Sequence, residues 1–353
     1  MQKKCLVALL LFVTGTYFYS EVARFVKGSN YSSSKEDLAL QAVQTRFQKV
    51  KAECGQICIT EQAKTNVIGK GWYNIVRKPF SCKKIFNYDV FDSSTELEES
   101  PHKIPAFLYD EFTYQGRVHV SNMFRNDETP FSKYADWNKD MVQNLVTKIR
   151  HGIPTSSYGA KAYSSLKLAM HHTKNTGAHV LVIGSQKPWV EAMLLEQGAS
   201  HVSTLDYSSI KCDHPQITTY TPPELTAAFL SGTLPVFDGV VSYSSIEHSG
   251  LGRYGDALNP YGDLIAMARA WCLVKDLGFA VVGVPTGPDH ITFNLHRVYG
   301  PLMYSHLFAN WQQVYTDTDI NLYVSEKHRK RTYGGGFFHT IHVLRKNRTF
   351  FAL

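Results

Sequence analysis

From about Asp136 onward, apolar and polar positions fall into short continuous apolar runs alternating with longer runs of helical period. DWNKDMVQNLVTKI and KAYSSLKLAMHHTKN predict two helices, with HGIPTSSYG breaking between them. HVLVIGS (179–185) then predicts a buried strand. PWVEAMLLEQG (188–198) predicts a helix, with proline in its first turn and glycine at its end. HVSTLDYS (201–208) and the short ITTYT (217–221) predict the next two strands, and PPELTAAFLSG (222–232) a compact helix. FDGVVSY (237–243) predicts a fourth strand, Asp256 to about Lys275 a long helix, and GFAVVGVPTG (278–287) a fifth strand. Continuous apolar strands separated by helices predict an α/β fold, a parallel sheet covered on both faces.

The flanks read differently. HRVYGPLMYSHLFA (296–309) predicts a turn and a helix; WQQVYTD (311–317) and FFHTIHVLRK (337–346) predict two strands, with Gly334–Gly336 in the loop between antiparallel edges. Residues 46–135 carry aromatic clusters without clear periodicity and stand as an N-terminal extension of undefined structure. Residues 27–45, polar and serine-rich around Asn30–Ser33, predict a stem. Before them MQKK precedes the uncharged run CLVALLLFVTGTYFY (5–19), and residues 1–26 read as a signal-anchor or transmembrane segment. In that reading the lysines are cytoplasmic and the rest of a single-pass type II chain lies in the lumen of the endoplasmic reticulum or Golgi. A cleaved signal, giving a secreted protein, and a buried or peripheral helix are the competing readings. The sequons at Asn30 and Asn347 fit a luminal glycoprotein.

Six cysteines and a net charge of +7 add to this picture. A luminal chain is expected to pair cysteines, and Cys54, Cys58 and Cys82 cluster for a disulfide, whereas Cys212 and Cys272 read as ordinary domain cysteines. The positive charge is spread, with no dense basic run interleaved with aromatics, so nucleic acid is not an expected partner; HRKR (328–331) reads as a solvated loop. Oligomeric state has no signature in the sequence.

Ligands of such sheets bind beyond the carboxyl ends of the strands. That places candidate binding residues at four tips: Gly184 and Ser185, Asp206 and Tyr207, Thr219 and Tyr220, and Tyr243 through His248. Gly184 lets backbone approach a ligand closely. Asp206 lies about 20 residues beyond that turn, where a carboxylate can accept from both ribose hydroxyls.

The stretches VLVIGSQKPWVEAMLLEQGASHVSTLDYS, FDGVVSYSSIEHSGLGRYGDALNPYGD and HRVYGPLMYSHLFANW resemble the DUF268 proteins of nematodes and other organisms, and more broadly the class I S-adenosylmethionine-dependent methyltransferases. The resemblance covers roughly residues 150–346 within a methyltransferase-like domain at 136–353. It implies a Rossmann-like, mostly parallel seven-stranded sheet with an antiparallel C-terminal strand, and S-adenosyl-L-methionine as cofactor. It puts Gly184 and Ser185 in the first turn, Asp206 on the ribose with Tyr207 beside it among the cofactor-binding residues, Thr219 or Tyr220 against the adenine edge, and Tyr243 and Ser244 beside the methionine part. Glu247-His248 is similar to a Glu-His pair found after the fourth strand of small-molecule methyltransferases. The chain departs from the pattern at Val182, where an acidic residue is usual, and at Gln186 and Pro188, which replace glycines.

The expected reaction is O-methylation. A histidine base suits a hydroxyl acceptor near neutral pH. His248 is the first candidate, with His290 or His296 as alternatives, Asp256 to orient His248 or begin the next helix, and Arg297 to hold the acceptor. His248, Asp256, Asp289, His290 and His296 have the residue types for a divalent metal, but their spacing does not call for one, and no metal is assigned. A luminal location makes a glycan hydroxyl the preferred acceptor. Two other functions fit the pattern: a non-catalytic binding or scaffold protein on this fold, and a glycosyltransferase, for which Asp317-Thr318-Asp319 is the only Asp-x-Asp and lies in the tail.

Overall fold

A computed structural model describes residues 34–60, 80–92, 97, 99–127, 134–319 and 338–346. The apolar segment 1–26, both sequons, HRKR and the Gly334–Gly336 run lie outside the described residues. By its contacts the chain divides into Met1–Ala42 and Val43–Leu353. In the first unit, residues from Lys35 are already helical, where the sequence predicts stem; Ser34 Oγ accepts from the Asp37 amide (3.1 Å), and Glu36 and Asp37 suit the positive end of the helix dipole. This helix is α1 (Lys35–Cys54).

The second unit has a three-layer core. Its elements in chain order are α2 (Cys82–Ile85), α3 (Tyr88–Phe91), α4 (Ala106–Phe112), β1 (His119–Asn122), β2 (Tyr134–Trp137), α5 (Lys139–Arg150), α6 (Gly159–Met170), β3 (His179–Ile183), α7 (Trp189–Glu196), β4 (His201–Leu205), β5 (Ser209–Cys212) and β6 (Ile217–Tyr220). There follow α8 (Pro222–Ser231), β7 (Phe237–Tyr243), α9 (Gly262–Leu273), β8 (Val274–Thr286), β9 (His290–Phe293), β10 (His296–Val298), α10 (Pro301–Leu307), β11 (Trp311–Thr316) and β12 (Phe338–Lys346). The seven-stranded sheet has the order β11-β12-β8-β7-β3-β4-β6. β6, β4, β3, β7 and β8 run parallel, and β12 is antiparallel to both β8 and β11. This is the mostly parallel sheet with one reversed C-terminal strand that the sequence resemblance implies.

Alternation within the strands sorts side chains to the two faces. Val180, Val182, Val241 and Val281 join α5, α6 and α7 in one cluster. Leu181, Val240 and Val282 join α8, α9, α10 and the N-terminal extension in the other. The extension therefore belongs to the packed body: Phe47, Val50, Ile85, Phe86, Leu108 and Phe112 are buried in the same cluster as Leu264 and Met267 of α9. The boundary drawn at residue 136 in the sequence is not a boundary in packing, since Val43–Leu353 is one unit by contacts.

Helix ends follow local chemistry. Thr221 and Glu224 form a capping box at the start of α8, and Gly232 ends it with a left-handed φ of 74°. Two expectations shift. The helix predicted from Asp256 begins only at Gly262, because residues 249–261 form a loop whose amides turn inward, and the fifth strand begins at Val274 without a break. The segment predicted as turn and helix contributes instead β10, then α10; β9 pairs with both β1 and β10 in a separate three-stranded sheet. A third pairing, β2 with β5, was not evident in the sequence.

Among the described residues the cysteines pair as Cys54–Cys58 and Cys82–Cys272, leaving Cys212 free. Cys272 is thus no ordinary domain cysteine: it ties α9 to the extension.

Candidate functional site

A cleft of about 1270 Å³ opens at the carboxyl ends of β3, β4 and β7. Ligand pockets commonly span about 300–1000 Å³, so this one has room for more than one small molecule. Its first wall is the turn after β3. Gly184 has φ 76°, and a Cβ there would stand 1.9 Å from Ser245 Oγ. Both the left-handed backbone and the approach of the β7 turn require glycine. The Gly184 amide donates to the Leu205 carbonyl (2.8 Å). The Ser185 amide donates to Asp206 Oδ2 and the Ser208 amide to Oδ1, each at 2.8 Å. Asp206 thereby ties together the turns after β3 and β4. Burial pushes its carboxyl up, and the amides of Ser185 and Ser208 and the Ser208 hydroxyl oppose that rise.

Beneath this turn sits a group that the sequence reading passed over. Glu191 of α7 is fully buried, with Oε1 2.9 Å from Thr204 Oγ1 and Oε2 3.1 Å from Ser185 Oγ. Ser185 Oγ also lies 3.0 Å from the Lys187 carbonyl. The Ser185 hydroxyl is thus shared between Glu191 and the Lys187 carbonyl, while Thr204 donates to Oε1. Burial pushes the Glu191 carboxyl up to about 7, against the hydrogen bonds from its own backbone, Thr204 and Ser185. A charged residue type amid the apolar run of PWVEAMLL was the available signal.

The other end of the cleft is the turn after β7. Ser244 has φ 53°, an uncommon conformation for a residue with a Cβ. Its hydroxyl donates to Glu247 Oε1 (2.8 Å), and His339 Nε2 of β12 lies 3.1 Å from the same hydroxyl. Tyr243 stacks on His339 (ring centroids 5.4 Å) and meets Trp189 edge-on (5.5 Å). Tyr158, 49% exposed, lies edge-on to Tyr243 at the rim.

His248 projects from a short 3-10 turn, Ile246–His248. Its Nδ1 is 2.6 Å from the Leu295 carbonyl, which assigns the proton to Nδ1 and leaves the Nε2 lone pair free to accept. Nε2 lies 3.7 Å from the buried carboxylate of Glu247. Burial pulls the His248 imidazole below its ordinary value, while Glu247 opposes this. Burial opposes ionisation of Glu247, but the charges of His248 and His339 and the hydrogen bond from His339 hold its carboxyl below the usual range. Arg253, paired with Asp127 (Nε to Oδ2, 2.7 Å), also reaches Leu295 O (3.2 Å) and flanks the imidazole.

Gly184, Ser185, Asp206, Tyr207, Tyr243, Ser244, His248 and Asp256 all line this one cleft; Tyr220, His290 and His296 do not. At the place expected for Tyr220, Thr221, Leu225 and Thr226 line it instead, because β6 turns its last residue toward the core. Asp256 neither begins a helix nor bonds His248. Its carboxylate accepts from the amides of Gly250 (2.7 Å), Gly252 (3.2 Å) and Tyr254 (3.1 Å), and so holds the loop that follows His248. His290 stands in the small sheet against Ser121 (2.9 Å) and His119, and His296 is buried with its ring 6.4 Å from His248. Burial, with help from neighbouring histidines, pulls both to about 4. Arg297 is buried, donating to the carbonyls of Ser249 (2.6 Å) and Pro260 (3.2 Å), and Asp289 accepts three amides at the start of α10. These are structural positions. Among the described residues no group of three or more His, Cys, Asp or Glu converges as a metal site.

Fold and cleft together define the class I methyltransferase type of α/β protein. Residues 177–347 match the family model described as "Caenorhabditis protein of unknown function, DUF268", in keeping with the likeness read from the sequence. No curated protein matches the chain. Solved structures that it resembles include 1,6-didemethyltoxoflavin-N1-methyltransferase of Burkholderia thailandensis, determined with bound 1,6-didemethyltoxoflavin and S-adenosylhomocysteine: 16% identity, TM-score 0.34, covering 58% of this chain and 87% of that one. Another is an S-adenosylmethionine-dependent methyltransferase from Mesorhizobium loti: 13% identity, TM-score 0.32, covering 53% of this chain and 98% of that one. At such identities and scores the likeness fixes neither ligand nor reaction.

Proposed function

We propose that this protein is an S-adenosylmethionine-dependent O-methyltransferase that works in the secretory lumen on a glycan hydroxyl. The observation that carries the reading is the convergence of Asp206 and His248 on one cleft, on either side of the Gly184 turn. The residues present fit the cofactor: the turn at Gly184 and Ser185 and the carboxylate of Asp206 line the same cleft, where Asp206 can accept from ribose hydroxyls. S-adenosylmethionine, when bound, supplies an electrophilic methyl group on a sulfonium. Tyr243 and Ser244 position the sulfur end. His248 Nε2 takes the proton of the acceptor hydroxyl, and Glu247, 3.7 Å away, stabilises the imidazolium that results. The aromatic rim of Tyr158 and Tyr254 suits the apolar face of a sugar ring. The two disulfides support an oxidising compartment, and the apolar N-terminus supports membrane attachment there.

The test is calorimetry and turnover with the purified full chain. Wild type binds S-adenosylhomocysteine and methylates a glycan acceptor. His248→Ala retains that binding and loses about 10²–10⁴-fold in kcat. Undiminished turnover by His248→Ala removes the histidine from the mechanism. The departures at Val182 and Gln186 favour a second reading, a binding or scaffold protein on this fold; absence of S-adenosylhomocysteine binding by folded wild type would establish it over the first. Glycosyl transfer has less support: Asp317, the first acidic residue of Asp-x-Asp, accepts from the Ile341 amide (2.9 Å) and the Thr318 hydroxyl (3.0 Å), away from the cleft.

A further inference from the structure

One wall of the cleft comes from the extension rather than from the sheet or its helices. Phe86, Tyr88 and Asp92 line it, facing Arg269 and Ala270 of α9. The two segments are fastened three times. Arg269 Nη1 and Nη2 donate to Asp92 Oδ1 (2.9 Å) and Oδ2 (2.7 Å), and Nε donates to the Ile85 carbonyl (2.7 Å). The same guanidinium lies over the rings of Phe86 (5.4 Å) and Phe91 (5.8 Å). Cys82–Cys272 joins them covalently. So many restraints on two short helices exceed what is needed to cover a sheet.

Direction along the cleft assigns this wall a ligand part. If Asp206 holds a ribose and the Gly184–Ser244 side holds the sulfur, the base must extend to the other side of Asp206. The next residue, Tyr207, lines the cleft together with Tyr88, Asp92 and Arg269. A purine wants flat apolar surface and a few polar groups at its edge. Tyr88, half-buried, offers the surface, and the Asp92–Arg269 pair the edge.

We propose that residues 82–92 form the nucleoside subsite of the cleft, with Tyr88 against the purine of an adenosine-bearing ligand and the Cys82–Cys272 disulfide holding that wall closed. This rests on the cofactor reading above, and adds that residues outside the methyltransferase-like sheet bind the ligand.

Calorimetry on the oxidised full chain tests it with two probes that share only the nucleoside and its sulfur, S-adenosylhomocysteine and 5′-methylthioadenosine. Tyr88→Ala is expected to weaken both by a common factor of about ten. Cys82→Ser with Cys272→Ser is expected to weaken both as well. Circular dichroism and a cooperative melt verify that each variant folds; should the double serine variant fail to fold, Tyr88→Ala, which keeps the disulfide, decides alone. Unchanged affinity in folded Tyr88→Ala overturns the subsite. So does a loss for S-adenosylhomocysteine without a matching loss for 5′-methylthioadenosine, which would put Tyr88 at the amino-acid end. If wild type binds neither probe, the cofactor reading itself fails, and the subsite with it; the wild-type titration separates that case from the others.

Discussion

Glu191 shows how much a single side chain can govern beneath a binding turn. Its folded value, about 7, exceeds the 4.5 of the free group. A carboxyl raised on folding favours the native state when protonated. That contribution is complete below about pH 4.5 and is lost as pH rises through about 7. The gap corresponds to an upper bound of about 3 kcal/mol. Wild type should therefore lose melting temperature between pH 5 and pH 8 relative to Glu191→Gln, which keeps a neutral side chain throughout. Parallel melting curves for the two across that range would show that Glu191 does not titrate there. Glu191 was hard to find in the sequence because its importance lies in Thr204 and Ser185, which reach it through the fold. Gly184 and Asp206 were visible because a strand-to-helix turn imposes its residue types locally.

Among elements, the contrast lies between those fixed by their own sequence and those fixed by pairing. β3, α7, β4, α8 and β7 could be read from apolar runs, a proline, a capping box and a terminal glycine. β5, four residues long, could not, since it exists by pairing with β2. His339 was equally hidden: β12 brings it to Ser244 from 95 positions away. Residues 256–261 were misread as helix because Asp256 looks like a helix start, whereas its carboxylate gathers amides of its own loop. Asp256→Asn replaces one acceptor oxygen by a donor against those amides. It should cost on the order of 1–3 kcal/mol in denaturant unfolding. It should also lower kcat while leaving the affinity for S-adenosylhomocysteine and the pH profile of kcat in place, because the residue positions a loop rather than moving a proton. A shifted pH profile would argue for a direct part in proton transfer.

At the scale of the whole molecule, the extension and the sheet share one hydrophobic cluster, and Cys82–Cys272 closes a sequence separation of 190 residues. Cross-links of such span stabilise chiefly by restricting the unfolded chain, typically by about 2–5 kcal/mol. Reduction should lower the melting temperature of wild type and leave the double serine variant unmoved apart from any effect of Cys54–Cys58. An unaltered wild-type melt after verified reduction would mean that packing alone secures the extension. None of this was legible in the sequence, because the described apolar residues of the extension, such as Ile85, Phe86 and Leu108, pack in one cluster with α9 and α10 rather than following a period of their own.

The placement of β12 has a consequence for biosynthesis. It follows β11 in the chain yet lies between β11 and β8. As the polypeptide leaves the ribosome, β11 emerges with no neighbour to receive it, and β8 keeps an open edge until residues 338–346 arrive. His339 comes with them, so the histidine flanking Glu247 is delivered late. A nascent chain therefore has its Gly184 turn before the Ser244–His339 end of the cleft is finished, and stalled or clipped products should be sticky at that edge and, under the proposed function, inert.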